Sequence, residues 1–287
     1  MADTQISRPA DRMRARLLEM WSSVAPAWEA NAAYIDGRGA HITARMLALT
    51  QPRPGDRVLE LACGVGGPGF EAAPLVGPAG EVVVSDVAPE MTEIAAARAA
   101  RFRLDNVATR VLDLERIDEP DHSFDVVLCR EGLMLVPDPR QASREIRRIL
   151  RPEGRVAVSV WGPRERNPWL GIVFDVAAAS LGMSVPPPGL PHPFSLDDAG
   201  RLASLLRDAG LSDVIVDEVP TPYLAASVEE WWRRTAALAG PLARRLAALP
   251  ADAAGELRRR AADAARGYQT SEGLELPGVC LVASARA

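Results

Sequence analysis

A chain of 287 residues that is 48% hydrophobic and 25% charged has a globular composition and enough length to bury a substantial core, which excludes disorder outside the polar N-terminal stretch and the proline cluster near residue 187. A net charge of -5 argues against a broad nucleic-acid footprint and toward small-molecule partners. All 33 basic residues are arginine, which removes lysine Schiff-base catalysis and the lysine of a P-loop. No apolar run is long enough to span a bilayer, and residues 1–9 lack the apolar stretch of a secretory signal, so the expected compartment is the cytoplasm. Cys63, Cys129 and Cys280 have neither a metal-ligand spacing nor a count suited to a disulfide framework, and they read as buried thiols with no metal site.

In chain order, two helical segments come first, at 10–24 and 38–49, within an N-terminal segment 1–52 expected to form part of a lid. Between 53 and 162, β-rich runs at 57–61, 81–85, 108–112, 124–129 and 155–160 alternate with helix-length amphipathic segments. That alternation predicts a doubly wound α/β domain around a mostly parallel sheet. The clearest helix, 138–150, repeats Ala142, Ile146, Ile149 and Leu150 at helical spacing and ends in the turn from Pro152 to Gly154. A helical insertion at 167–181 and the proline-rich turn 186–193 make a second lid segment, 163–194. The segment 195–225 reads as a helix opened by a Ser195/Asp198 capping box and closed at Gly210, followed by a sixth strand at 213–219. A second helical lid insertion, 226–274, opens with Ser227 and Glu230 and contains Trp231 and Trp232, and the segment 275–287 holds a seventh strand at 279–283.

The most informative run is Val58 to Gly69, a hydrophobic strand that enters a glycine-rich turn and then opens a helix. Glycines serve there because the backbone turns sharply and a ligand must approach at contact distance. Gly64, Gly66 and Gly69 match G-x-G-x-x-G, which by itself leaves a dinucleotide open. The sign of the neighbouring charge points elsewhere. Glu60 at the strand end would repel a pyrophosphate but complement the ammonium and sulfonium of S-adenosylmethionine. Asp86, ending the second strand, suits the two ribose hydroxyls of either cofactor. Asp113, after the third strand, can accept from the adenine amine while Val87, Met91 and Leu114 sandwich the ring.

The runs E-L-A-C-G-V-G-G, S-D-V-A-P-E-M, D-L, F-D-V-V-L-C-R-E-G-L-M and L-R-P-E-G-R resemble, in order and spacing, the successive motifs of class I S-adenosylmethionine-dependent methyltransferases. Within that superfamily the chain is similar to the ubiquinone/menaquinone C-methyltransferase group and its small-molecule relatives. The helices between the sixth and seventh strands are longer than in the quinone enzymes. The resemblance implies a seven-stranded Rossmann-like fold with helical insertions. It also implies S-adenosylmethionine as methyl donor, S-adenosylhomocysteine as product, and a small hydrophobic or aromatic metabolite, natural-product or quinone-like, as acceptor at carbon or oxygen. Donor contacts are implied at Glu60, Ala62, Cys63, Gly64 and Gly66, at Asp86, at Asp113 and Leu114, and at Arg130 after the fourth strand. An aromatic of the N-terminal helix, Trp21 or Trp28, is implied against the methionine part of the donor.

Methyl transfer from a sulfonium demands alignment and desolvation, and a base only if the acceptor needs one. The candidate bases are His192, His41, Tyr34 and Glu131, while His122 is set aside in a polar turn. Tyr34, Trp169, Phe194, Tyr223 and Trp231 are expected to line an apolar lid. Two alternatives of other classes stay open: an NAD-dependent oxidoreductase, disfavoured by Glu60 and by the absence of a Y-x-x-x-K pair, and a non-catalytic S-adenosylmethionine-binding regulator. A homodimer is compatible with the sequence.

Overall fold

The computed structural model describes residues 9–287. The polar stretch 1–8, most of the segment without a secretory-signal pattern, lies outside the described residues. Two helices open the fold, α1 (Pro9–Ala30) and α2 (Ala32–Thr50). Both run longer than predicted, because α1 continues through Pro26 and only Asn31 separates it from α2. There the Asn31 side-chain amide donates to the Ala27 carbonyl at 2.8 Å.

The alternating core follows as β1 (Arg57–Glu60), α3 (Pro68–Val76), β2 (Glu81–Asp86), α4 (Pro89–Arg101), β3 (Val107–Val111), β4 (Phe124–Arg130), α5 (Pro139–Ile149) and β5 (Leu150–Trp161). Helices α3, α4, α5 and α6 (Pro168–Leu181) each begin on a proline, whose fixed φ and missing N–H suit the first helical position. The chain continues through α7 (Ala199–Asp208), β6 (Ser212–Pro220), β7 (Tyr223–Ala225), α8 (Val228–Leu238), α9 (Pro241–Ala247), α10 (Ala251–Ala265), β8 (Gln269–Thr270), β9 (Gly273–Leu276) and β10 (Val279–Arg286).

The main sheet has seven strands in the order β3-β2-β1-β4-β5-β10-β6, parallel except for β10, which runs antiparallel to both β5 and β6. The central strands β1, β2 and β4 are buried on both faces, as their unbroken Val/Leu runs require. The strand order reverses between β1 and β4, so a crevice opens at their carboxyl ends, the usual ligand position of an open α/β sheet.

Some local expectations are corrected. Leu150, read as the end of the helix, and Pro152 to Gly154, read as a turn, belong to β5, which extends past a register shift opposite Phe124 and Val126. Asp198, not Ser195, caps α7, accepting from the Arg201 amide, while Ser195 Oγ donates to the Met134 carbonyl. The stretch read as a second helical lid also carries β8 and β9, which join β7 in a three-stranded antiparallel sheet. These strands are two to four residues long, too short for an alternating pattern to register.

Candidate active site

Adjacent strand ends build the first of two joined cavities. Ala62 after β1 and Glu131 after β4 both adopt left-handed backbone, with φ of 51° and 58°, and this strained geometry turns the chain out of the sheet over the crevice. Gly64 has φ of 54°, and a Cβ there would come within 3.2 Å of the Trp28 ring, so glycine is needed both for the turn and for the approach of α1. Glu60 is fully buried beneath the turn and accepts from the Gly69 amide at 2.8 Å. Burial pushes its carboxyl up to about 7, against the pull of the Arg130 guanidinium and the Gly69 amide. Asp86 accepts from the Gly64 amide at 2.9 Å and the Ala88 amide at 3.0 Å, and burial raises its carboxyl despite these bonds.

Glu60, Asp86 and Asp113 line one cavity, together with Trp21, Trp28, Ala62, Cys63, Gly64, Val87, Met91, Leu114 and Arg130. Of the predicted donor contacts only Gly66 stands outside it. Its φ of 97° shapes the turn from behind, where a side chain would strike the Phe70 ring. Arg130 reaches over α2 to the Thr43 hydroxyl at 3.0 Å, through a space that a side chain at Gly39 would fill. Cys63 and Cys129 are buried and their thiols are pushed up by burial, Cys129 to about 12, which suits packing and not nucleophilic attack.

A second, larger cavity shares Trp21, Trp28, Ile35, Leu135 and Glu131 with the first. Counting its open mouth it holds about 1470 Å³, enough for a ring-bearing molecule. Its walls are aromatic: Trp169 packs edge-on to Trp161 at 4.9 Å and stacks on Tyr223 at 5.8 Å between centroids, and Tyr34 lies 5.4 Å from Tyr223. The Trp169 indole is aimed by buried Asn167, whose Oδ1 accepts from its Nε1 at 3.1 Å and also from the Val279 amide at 3.1 Å.

The four candidate bases separate in space. Glu131 lies where the cavities meet, its backbone amide held by the Ser159 carbonyl and hydroxyl, and burial raises its carboxyl. Tyr34 lines the aromatic cavity, but burial holds its hydroxyl protonated. His192 also lines it, with Nδ1 accepting from the Phe194 amide at 3.1 Å and its ring pushed toward the neutral form by burial. His41 is a correction: it is exposed on α2 and lines neither cavity, because the helix turns it away from the sheet. Phe194 and Trp231 are buried behind the aromatic walls, Trp231 donating through Nε1 to the Trp169 carbonyl at 2.9 Å.

Sequence reasoning missed the arginines that tie the N-terminal helices to the core and enter the cavities. Arg14 on α1 pairs with buried Glu115 at 3.1 Å and approaches Asp113 at 3.7 Å, which ties the helix across the first cavity. Arg98 on α4 bridges Asp36 on α2 and the Val65 carbonyl in the glycine turn. Arg38 on α2 enters the aromatic cavity. A surface-like arginine in a helix carries no local signal of such contacts, which arise only from tertiary packing.

A methyltransferase-domain family matches residues 52–168. Nocamycin O-methyltransferase of Saccharothrix syringae is 34% identical over 184 residues, and the alignment covers 60% of this chain and 65% of that protein. The ubiquinone/menaquinone biosynthesis C-methyltransferase of Cupriavidus necator is 33% identical over 202 residues, covering 61% of this chain and 76% of that protein. Among solved structures, the YcgJ protein of Bacillus subtilis superposes with a TM-score of 0.60 at 20% identity, covering 86% of this chain and 98% of that one, a likeness of fold. The chain belongs to the class I S-adenosylmethionine-dependent methyltransferases, and S-adenosylmethionine is its cofactor. The first cavity fits that group: five acidic residues line it (Glu60, Asp86, Asp113, Glu115 and Glu131), the Gly64 cradle would be filled by a Cβ, and the buried Trp28 Nε1 has no acceptor among the described residues. No helix among the described residues is long and apolar enough to cross a membrane.

Proposed function

We propose that this chain transfers the methyl group of S-adenosylmethionine to a small, largely apolar, ring-bearing acceptor held in the aromatic cavity, with the donor in the acid-lined one. The observation that carries this reading is the shared wall, where Trp21, Trp28, Ile35, Leu135 and Glu131 bound both cavities. When bound, the donor supplies an electrophilic methyl carbon whose departing sulfur keeps the bonding electron pair. Glu60 and Asp86 balance its cationic end and hold its ribose, Asp113 and Leu114 receive its adenine, and Arg130 faces its carboxylate. Glu131 is the base best placed to take a proton from the acceptor, since it alone of the four candidates borders both cavities. The relatives' names, an O-methyltransferase and a C-methyltransferase, support small-molecule acceptors at either oxygen or carbon.

Incubating the purified protein with S-adenosylmethionine and a panel of naphthols, quinols and aromatic acids should yield S-adenosylhomocysteine with at least one acceptor. Asp86→Ala should weaken donor binding by about a hundredfold in calorimetry, because it removes a buried charged acceptor of two backbone amides. Tight donor binding with turnover of no acceptor would favour the regulatory binder instead.

A further inference from the structure

Arg38 differs from the other arginines around the two cavities: Arg245, at the rim of the aromatic one, is exposed and reaches the Met183 sulfur at 3.5 Å, and the rest have polar partners inside the fold. Arg14, Arg98 and Arg234 each pair with a carboxylate, and Arg130 is bonded to Thr43. Arg38 is packed instead among rings: its guanidinium carbon lies 3.9 Å from the Trp169 centroid, 4.7 Å from Trp161 and 4.8 Å from Tyr223. Among the described residues its buried Nε and Nη2 have no acceptor and no ion pair includes it. Glu131 acts on it only through its field across the junction of the cavities. A guanidinium is permanently charged, and rings attract its face while doing nothing for the N–H groups on its edge. Burial of such an edge is unfavourable until an anionic oxygen meets it.

The neighbouring polar groups repeat the pattern. The hydroxyls of Tyr34 and Tyr223 approach each other and Arg234, but among the described residues neither they nor the Thr235 hydroxyl makes a hydrogen bond of full geometry, and all three buried groups belong to residues that line the same cavity. The chamber therefore holds a surplus of donors with apolar walls around them, the complement of a molecule that is mostly ring and carries an acidic oxygen.

We infer that Arg38 is the anchor for an anionic oxygen of the acceptor, a carboxylate or an enolate on a ring-bearing body, with the Tyr34 and Tyr223 hydroxyls donating to the same group. Arg38 is thus a specificity-determining residue that orients the acceptor's remaining atoms toward Glu131 and the donor. This rests on the methyl-transfer reading above, whose donor half is tested separately.

The test measures binding of matched probes to the protein saturated with S-adenosylhomocysteine: 2-naphthoic acid against 2-naphthamide, and 4-hydroxycoumarin against 4-methoxycoumarin. At neutral pH at least one acidic probe should bind about tenfold more tightly than its uncharged partner, and which pair shows the preference separates carboxylate from enolate. Arg38→Gln should erase the preference and Arg38→Lys should keep part of it, with S-adenosylhomocysteine affinity unchanged in both. Equal affinity of acid and neutral partner in the wild type, absence of binding by either included, overturns the inference, as does a preference that survives Arg38→Gln. Should the Gln variant fail to fold, the wild-type comparison and the Lys variant still decide. Failure of the wild type to bind S-adenosylhomocysteine would instead sink the donor reading.

Discussion

The two cavities are built on opposite principles. The acid-lined cavity takes most of its polar wall from loops at the ends of β1, β2, β3 and β4, and three of its carboxylates are locked by nearby amides: Glu60 by Gly69, Asp86 by Gly64 and Ala88, Asp113 by Glu115. The aromatic cavity takes its wall from α1 and α2 and, more than a hundred residues further along the chain, from α6, the proline-rich turn, β7 and α8, which meet the first two through aromatic packing. Charge held by a rigid sheet edge fixes one invariant ligand, whereas side chains projected from helices outside the sheet can be exchanged without disturbing the core. The difference teaches where the chemistry is fixed in this chain and where its specificity is adjustable.

The sharpest way to break that division is at Glu131, the candidate base common to both halves. Glu131→Gln should lower kcat by about a hundredfold or more while leaving donor affinity intact, as single-turnover rates and calorimetry would show. Because burial raises the Glu131 carboxyl, wild-type kcat should rise with pH through a midpoint above the ordinary carboxylate range, and the variant should lose that rise. A variant with unaltered kcat would remove Glu131 from the chemistry and leave His192 as the remaining candidate in the aromatic chamber.

A second effect, smaller and confined to the donor half, follows from Glu60. Its folded carboxyl is raised to about 7, so in the unliganded protein its contribution to stability is present below the unfolded value and is lost as pH rises through about 7. A cationic ligand favours the ionised form and reverses this cost. The increase in Tm produced by saturating S-adenosylmethionine should therefore be larger at pH 8 than at pH 5, and binding near pH 6 should release a fraction of a proton, measurable in buffers of differing ionisation enthalpy. Glu60→Gln should abolish the proton release. The smallest effect belongs to the seam between the halves: Arg14→Ala cuts the tie from α1 to Glu115 and Asp113, and it should speed donor dissociation by about fivefold at most in stopped flow, since the arginine is partly solvated.

The acid-lined cavity was largely legible in the sequence because its parts are local. A strand running into glycines, an acid at the next strand end and another after the third strand are each defined within a few residues, and the right-handed crossovers of a parallel sheet bring those ends to one edge. Gly66 shows the limit of such reading, since the motif marks it equally with Gly64 while only the three-dimensional turn puts it behind the pocket. The capping boxes split for a similar reason. Ser227 and Glu230 work as a local cap, with Ser227 Oγ accepting from the Glu230 amide, but the Met134 carbonyl draws Ser195 away from its helix.

Composition, periodicity and the order of strand-end motifs thus determined the doubly wound sheet, the methyl donor and the gathering of acids at one sheet edge, because those features depend on neighbours along the chain. Only the tertiary structure decided which helix faces turn inward. It placed Trp28 over Gly64 and Glu131 between two cavities, brought Arg38 under three aromatic rings, and left His41 in solvent. The physical reason is that a helix offers its side chains in every direction, and the packing of distant elements against it selects the few that meet a ligand.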